Sequence, residues 1–138
     1  MTIYEFIVSN GVLSKEHEQD LKRSRGFTDE LIKNNRFISG GKYLLELEKN
    51  ILDHYSENEL LESGIFISNG KSINLSPILA EERIIIPYLN KENKCYYIRP
   101  HKLGLKGVSA EIYHARTAGK NIILTEGEFK ATACEAWG

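Results

Sequence analysis

Apolar positions change period along this chain, and the changes divide it. In "KYLLELEKNILDHY", residues 42–55, Leu44, Leu45, Leu47, Ile51, Leu52 and Tyr55 fall near one stripe at helical spacing, which predicts a core-facing helix. Ser14 ahead of "KEHEQDLKRSR" and Thr28 ahead of "DELIKNNRF" have the chemistry of N-caps, and Gly26 is placed to stop the first of these two helices. In "YSENELLESG", Ser56 and Glu59 have capping-box spacing, and Gly64 is placed to end the helix in the left-handed region. "FTDELIKNNRFIS" and "YSENELLESGIFIS" share one order: aromatic, hydroxyl cap, acidic first turn, apolar pair, and an apolar exit ending in Ile-Ser. Two copies are too few for a solenoid; they predict paired helix starts, each leading into a strand.

From residue 65 the period shortens. "GIFISNGKSINLS" predicts a strand and turn, and "ERIIIPYLNKENKCYYIRPHK" a hairpin of Arg83 to Leu89 and Lys94 to Arg99 about a polar turn. Pro87 has no N–H for a ladder, which places its strand at an edge or at a bulge. Tyr96 and Tyr97 alternate faces, so one belongs to the core and the other to the surface, where a tyrosine can stack on a base. Asn121 to Thr125 is a β-type run, and from Glu128 onward Ala131, Ala133, Cys134 and Trp137 suit a helix packed on a sheet. The expected class is α+β: helices over residues 1–64, a small mixed sheet with its hairpin over 65–118, and one strand and helix of a further α/β unit over 119–138.

Charge adds a location to this outline. Residues 1–82 carry nine Lys and Arg against fourteen Asp and Glu; residues 83–120 carry eight against two; residues 121–138 carry one against three. A basic middle between acidic flanks suits an anion-binding surface, because phosphates are held mainly by Lys and Arg. It suits equally a solvated hairpin with scattered charge. Arg83, Arg99, His101, Lys102 and Lys106 are the candidates to face nucleic acid or a nucleotide phosphate, Arg99 and Lys106 foremost, since they close the hairpin and sit in the glycine-bearing loop. Cys95, Cys134, His101 and His114 lack the close pairwise spacing of a structural zinc site, so reduced thiols are expected. Glu5 interrupts the apolar opening, no basic residue precedes it, and no run approaches a membrane span. The chain is therefore expected to be cytoplasmic, with no membrane partner.

In this order the segments resemble the catalytic core of bacterial-type DNA primases, and most of all the primase-related toprim proteins of phages, plasmids and other mobile elements. The likeness covers roughly residues 20–138. "RGFTDELIKNN" is similar to the family's Arg-Gly stretch before a helix, "YSENELLESGIF" to the segment before its first sheet, and "ERIIIPYLNKENKCYYIRPHK" to its R-x-x-F-P hairpin. "LKGVSAEIY" resembles the loop leading into the toprim domain, and "IILTEGEFKATACEA" the first toprim motif, a strand followed by Glu-Gly.

The resemblance implies roles for that last motif. A parallel strand delivers its final residues to the carboxyl edge of a sheet, where ligands of α/β folds collect, and glycine permits the sharp turn into a helix. Glu126 matches the family's glutamate, with a general acid/base or metal-associated role, and Gly127 matches its turn residue. Magnesium needs further oxygen ligands. The family draws them from an Asp-x-Asp on a later strand, so Mg²⁺ is expected in a full-length protein and no cofactor or catalysis for these 138 residues alone. Lys130 stands where many members have an aspartate, which puts one acidic role in doubt. Glu126 reads equally as a surface carboxylate at the start of a helix.

Two functions follow as expectations. One is the N-terminal part of a primase-like toprim protein, binding single-stranded DNA or RNA, or nucleotide phosphates, in replication alongside a helicase. The other is a stand-alone mobile-element module that inhibits a host nucleic-acid enzyme or defence nuclease in an anti-CRISPR-like manner, its acidic N-terminal half mimicking nucleic-acid charge.

Overall fold

A computed structural model of the chain describes residues 1–101. The opening segment forms α1 (Ile3–Asn10), capped by Thr2, whose hydroxyl accepts from the Glu5 N–H at 3.1 Å. Ser14 caps α2 (Lys15–Gln19), which widens at once into a π-helical turn (Asp20–Ser24). Thr28 caps α3 (Asp29–Asn34), and a two-residue strand, β1 (Ile38–Ser39), follows. Next come α4 (Lys42–His54) and α5 (Glu57–Glu62). The capping box of α5 is complete: the Glu59 N–H donates to the Ser56 hydroxyl at 3.3 Å, and the Ser56 N–H to the Glu59 carboxylate at 2.8 Å. The paired helix starts do lead into strands, α3 into β1 and α5 into β2 (Phe66–Ser68). Then come β3 (Ile73–Leu75), β4 (Ile84–Leu89) and β5 (Cys95–Pro100).

The class is α+β. Among the described residues every ladder is antiparallel: β2 pairs with β3, and β1, β4 and β5 form a three-stranded sheet in that order. The strand and helix expected over residues 119–138 lie outside the described residues.

Successive residues of β4 point to opposite faces, and both faces are buried. Ile85 and Leu89 join Cys95 and Ile98 of β5, Ile7 of α1 and Ile51 of α4 in one apolar cluster. Ile84, Ile86 and Tyr88 join Leu21, Phe27, Ile32 and Phe37 in a second. This is why "IIIPYL" is continuously apolar, with all six residues buried. The α4 stripe is narrower than its leucines suggested: Leu44 and Ile51 are buried, whereas Leu45 is 47% exposed.

Pro87 is a correction. Its strand is central in the sheet, and the bulge lies just beyond it, where Tyr88 opposes Tyr97 but Leu89 opposes Cys95, leaving Tyr96 extra. The ladder explains the tolerance. The His101 N–H donates to the Ile84 carbonyl and the Gly40 N–H to the Arg83 carbonyl, so odd-numbered residues of β4 turn their backbone polar groups toward β1. β1 reaches only as far as the Ile38 and Ile85 pair. Pro87 therefore falls where the β1 side of the strand requires no N–H.

One buried ion pair ties these layers together. Glu5 of α1 is 6% exposed, and its carboxylate accepts from Arg36 Nη1 at 2.8 and 3.0 Å and from the Cys95 N–H at 3.0 Å. The same Arg36 Nη1 reaches the Asn93 carbonyl at 2.8 Å. Arg36 and Asn93 are the two non-glycine residues with positive φ among the described residues, at 55° and 64°. Thr2 donates to the Cys95 carbonyl at 3.2 Å, so α1 satisfies both backbone groups at the start of β5.

Burial pushes the Cys95 thiol up to about 11, and its Sγ donates to the Tyr97 carbonyl at 3.1 Å. In a Cys134→Ala background, Cys95 is expected to alkylate at pH 8 about a hundredfold more slowly in the native chain than in urea. Equal rates would show that the thiol is not held in the core.

Candidate nucleic-acid interface

The candidate surface begins with a helix end. Leu21 is fully buried on the second cluster and Phe27 nearly so, six residues later, stacked on Phe37 with ring centroids 6.2 Å apart. The chain between them closes through Gly26 at φ 69°, with the Gly26 N–H donating to the Lys22 carbonyl and the Phe27 N–H to the Leu21 carbonyl. Two buried anchors and one left-handed turn thus fix the direction in which Arg25 leaves the helix. Its Nε lies 3.5 Å from the Asp20 carboxylate, and its Nη2 lies 3.2 Å from Nε2 of His101.

His101 follows β5 directly and is held there by its backbone bond to Ile84 at 2.9 Å. Arg99, opposite Ile86, lies on the same face of the strand as His101, and is half-buried. Period-two geometry therefore groups Arg99 and His101 at the open end of the hairpin, on the face of the second cluster, with Arg25 against His101. Arg23, exposed on the same helical turn, adds a fourth cationic or titratable side chain on these elements.

Arg83 falls outside this group. It lies on the other side of the period-two alternation, and its Nε is bound to Glu81 Oε2 at 2.6 Å, so its charge is compensated within its own loop. Lys22 is compensated as well, between Asp29 and Glu18, whose hydrogen bonds hold its ammonium above the usual lysine range. Tyr96 is 38% exposed at the bulge, whereas Tyr97 packs edge-on against Tyr88 at 5.3 Å. Lys102, Lys106, Glu126 and Gly127 lie outside the described residues, and with them the proposed magnesium ligand. Among the described residues no three His, Cys, Asp or Glu side chains come together as a metal site.

Arg25 is the residue the charge count missed, because residues 1–82 are acidic as a block. It opens the stretch "RGFTDELIKNN", and that resemblance was the signal that could have found it. A groove of about 300 Å³ between α1 and α5 is no substitute: Tyr4, Tyr55, Glu59 and Glu62 line it, and its carboxylates repel phosphate. No helix among the described residues is long and apolar enough to cross a membrane. No protein-family model and no curated protein matches this chain.

Proposed function

We propose that this chain binds the phosphate backbone of single-stranded nucleic acid as the N-terminal part of a primase-like toprim protein, through the open end of its hairpin. The observation that carries the reading is the meeting of Arg25 and His101, 76 residues apart in sequence, beside Arg99. The fold brings an arginine and a histidine from two separate elements together, with a second arginine two residues away in sequence, and a backbone-tracking groove needs positive charge gathered in this way. Arg25 and Arg99 position the strand by their fork of donors, which matches phosphate oxygens.

Fluorescence anisotropy with a labelled single-stranded oligonucleotide at two salt concentrations tests it. Affinity is expected to fall as salt rises, and Arg25→Ala and Arg99→Ala are each expected to reduce the slope of log K against log salt by about one. Arg83→Ala, whose charge Glu81 already offsets, is expected to leave the slope unchanged. No binding at low salt would sink the proposal and favour a module directed at a host protein.

A further inference from the structure

The contact between Arg25 and His101 constrains the proton on the imidazole. A guanidinium has only donors, so Nε2 of His101, 3.2 Å from Nη2 of Arg25, receives that bond through its lone pair. That bond calls for the neutral imidazole with its proton on Nδ1. Protonation at Nε2 would set two donors and two positive charges against each other. An anionic oxygen placed between the two side chains reverses the preference, because it accepts from both and favours the charged form of each.

We propose that this pair is a proton-coupled anion site: a phosphodiester or other oxyanion bridges Arg25 and His101, and its binding draws one proton onto His101. This rests on the reading above that the open end of the hairpin receives phosphate. The balance is simple. Nε2 takes a proton from hydronium or buffer acid, the hydrogen bond donated by Arg25 moves from the imidazole lone pair to an anion oxygen, and no other bond forms or breaks.

The other charged groups on the surrounding elements set the background. Asp20, on the π-helical turn, approaches Nε of Arg25 and steadies the guanidinium while Nη2 meets the imidazole. Arg99 stands two residues before His101, at the end of β5. Glu81 and Arg83, ahead of β4, offset each other, as do Lys22, Glu18 and Asp29 on the helical side. Histidine is the side chain whose ordinary titration lies between pH 5 and 8, so the coupling acts in the physiological range.

The test uses the full chain and two probes whose own charge is constant from pH 6 to 8: a 5′-hydroxyl oligothymidylate and sulfate. Oligothymidylate affinity is expected to rise roughly tenfold from pH 8 to pH 6 in the wild-type chain, and much less in His101→Gln, whose amide does not titrate. Calorimetry at pH 7.5 in two buffers of different ionisation enthalpy is expected to register uptake of up to one proton per bound anion, lost in His101→Gln. Circular dichroism of the variant checks that the fold is intact. A flat pH profile, zero proton uptake, or a His101→Gln chain that keeps the wild-type profile each overturns the proposal. Sulfate that binds with proton uptake, where oligothymidylate does not bind, would remove the nucleic-acid reading and leave the proton-coupled site standing. Failure of both probes to bind overturns both.

Discussion

Arg36→Met is expected to destabilise the chain by about 3–5 kcal/mol at pH 7, because it leaves the Glu5 carboxylate buried without its cation. The methionine retains the aliphatic stem, so the loss reports the charge and its hydrogen bonds. Restoring neutrality is expected to recover most of it: in Glu5→Gln with Arg36→Met, the amide oxygen can still accept the Cys95 N–H at the place where Glu5 accepts it now. Urea unfolding of the two variants against the parent measures both values. A loss under 1 kcal/mol in Arg36→Met would mean that the pair is solvated and ties nothing together.

The pH dependence has a defined sign. Burial alone raises the Glu5 carboxyl, but the Cys95 N–H and the Arg36 guanidinium outweigh it and hold it below the usual range. A depressed carboxyl contributes stability that is fully present above its unfolded value of roughly 4.3 and is lost as pH falls through the lower folded value. In Arg36→Met the cation is gone and burial acts with less opposition, so Glu5 protonates more readily and the deficit against the parent shrinks in acid. Arg36 also sits at φ 55°. Arg36→Gly is therefore expected to be about 1 kcal/mol less damaging than Arg36→Ala, since glycine adopts that region without the Cβ cost.

That same ion pair marks where sequence reading stopped. Thr2 and Glu5 stand in capping-box spacing, and the Thr2 half of the motif forms, starting α1. The Glu5 half does not: its side chain turns to Arg36 and Cys95, partners 31 and 90 residues away that no local pattern announces. The caps at Ser14, Thr28 and Ser56 were legible because each acts within three residues of itself. The hairpin of β4 and β5 was legible for the same reason, its strands being joined by a short polar turn. β1 was legible only as the Ile-Ser exit from α3; its place beside β4 was not, since two residues carry no period that names a distant partner.

The candidate site divides along the same line. Arg99 and His101 could be singled out from a basic segment, yet nothing local separates them from Arg83, which the structure pairs with Glu81. Arg25 joins them only because Leu21 and Phe27 share a core with β4. Composition located the charge; packing chose which charges meet.

Gly41→Ala is expected to cost about 2–6 kcal/mol, for two separable reasons. Gly41 sits at φ 71° and ψ −137°, a region in which a side chain stores on the order of 1–3 kcal/mol of strain. A Cβ there would also meet Glu82 Cγ at 2.9 Å, its Cα at 3.2 Å and its N at 3.3 Å, and overpacking of this kind adds about 1–3 kcal/mol. Gly40→Ala tests the second cause alone: no positive φ is involved, but its Cβ would lie 2.9 Å from the carbonyl oxygens of both Leu79 and Glu81. Gly26→Ala tests the first alone, having φ 69° and nothing within 4 Å. The expected order of loss in thermal or urea unfolding is Gly41 beyond Gly40, with Gly26 at about 1 kcal/mol. A Gly41 variant no worse than the Gly26 variant would mean that the segment over the glycines yields freely. The same segment matters to the candidate interface, because the Gly40 N–H holds the Arg83 carbonyl and the next residue, Ile84, holds His101. Gly40→Ala is therefore also expected to weaken oligonucleotide binding, by displacing the strand against which His101 is set.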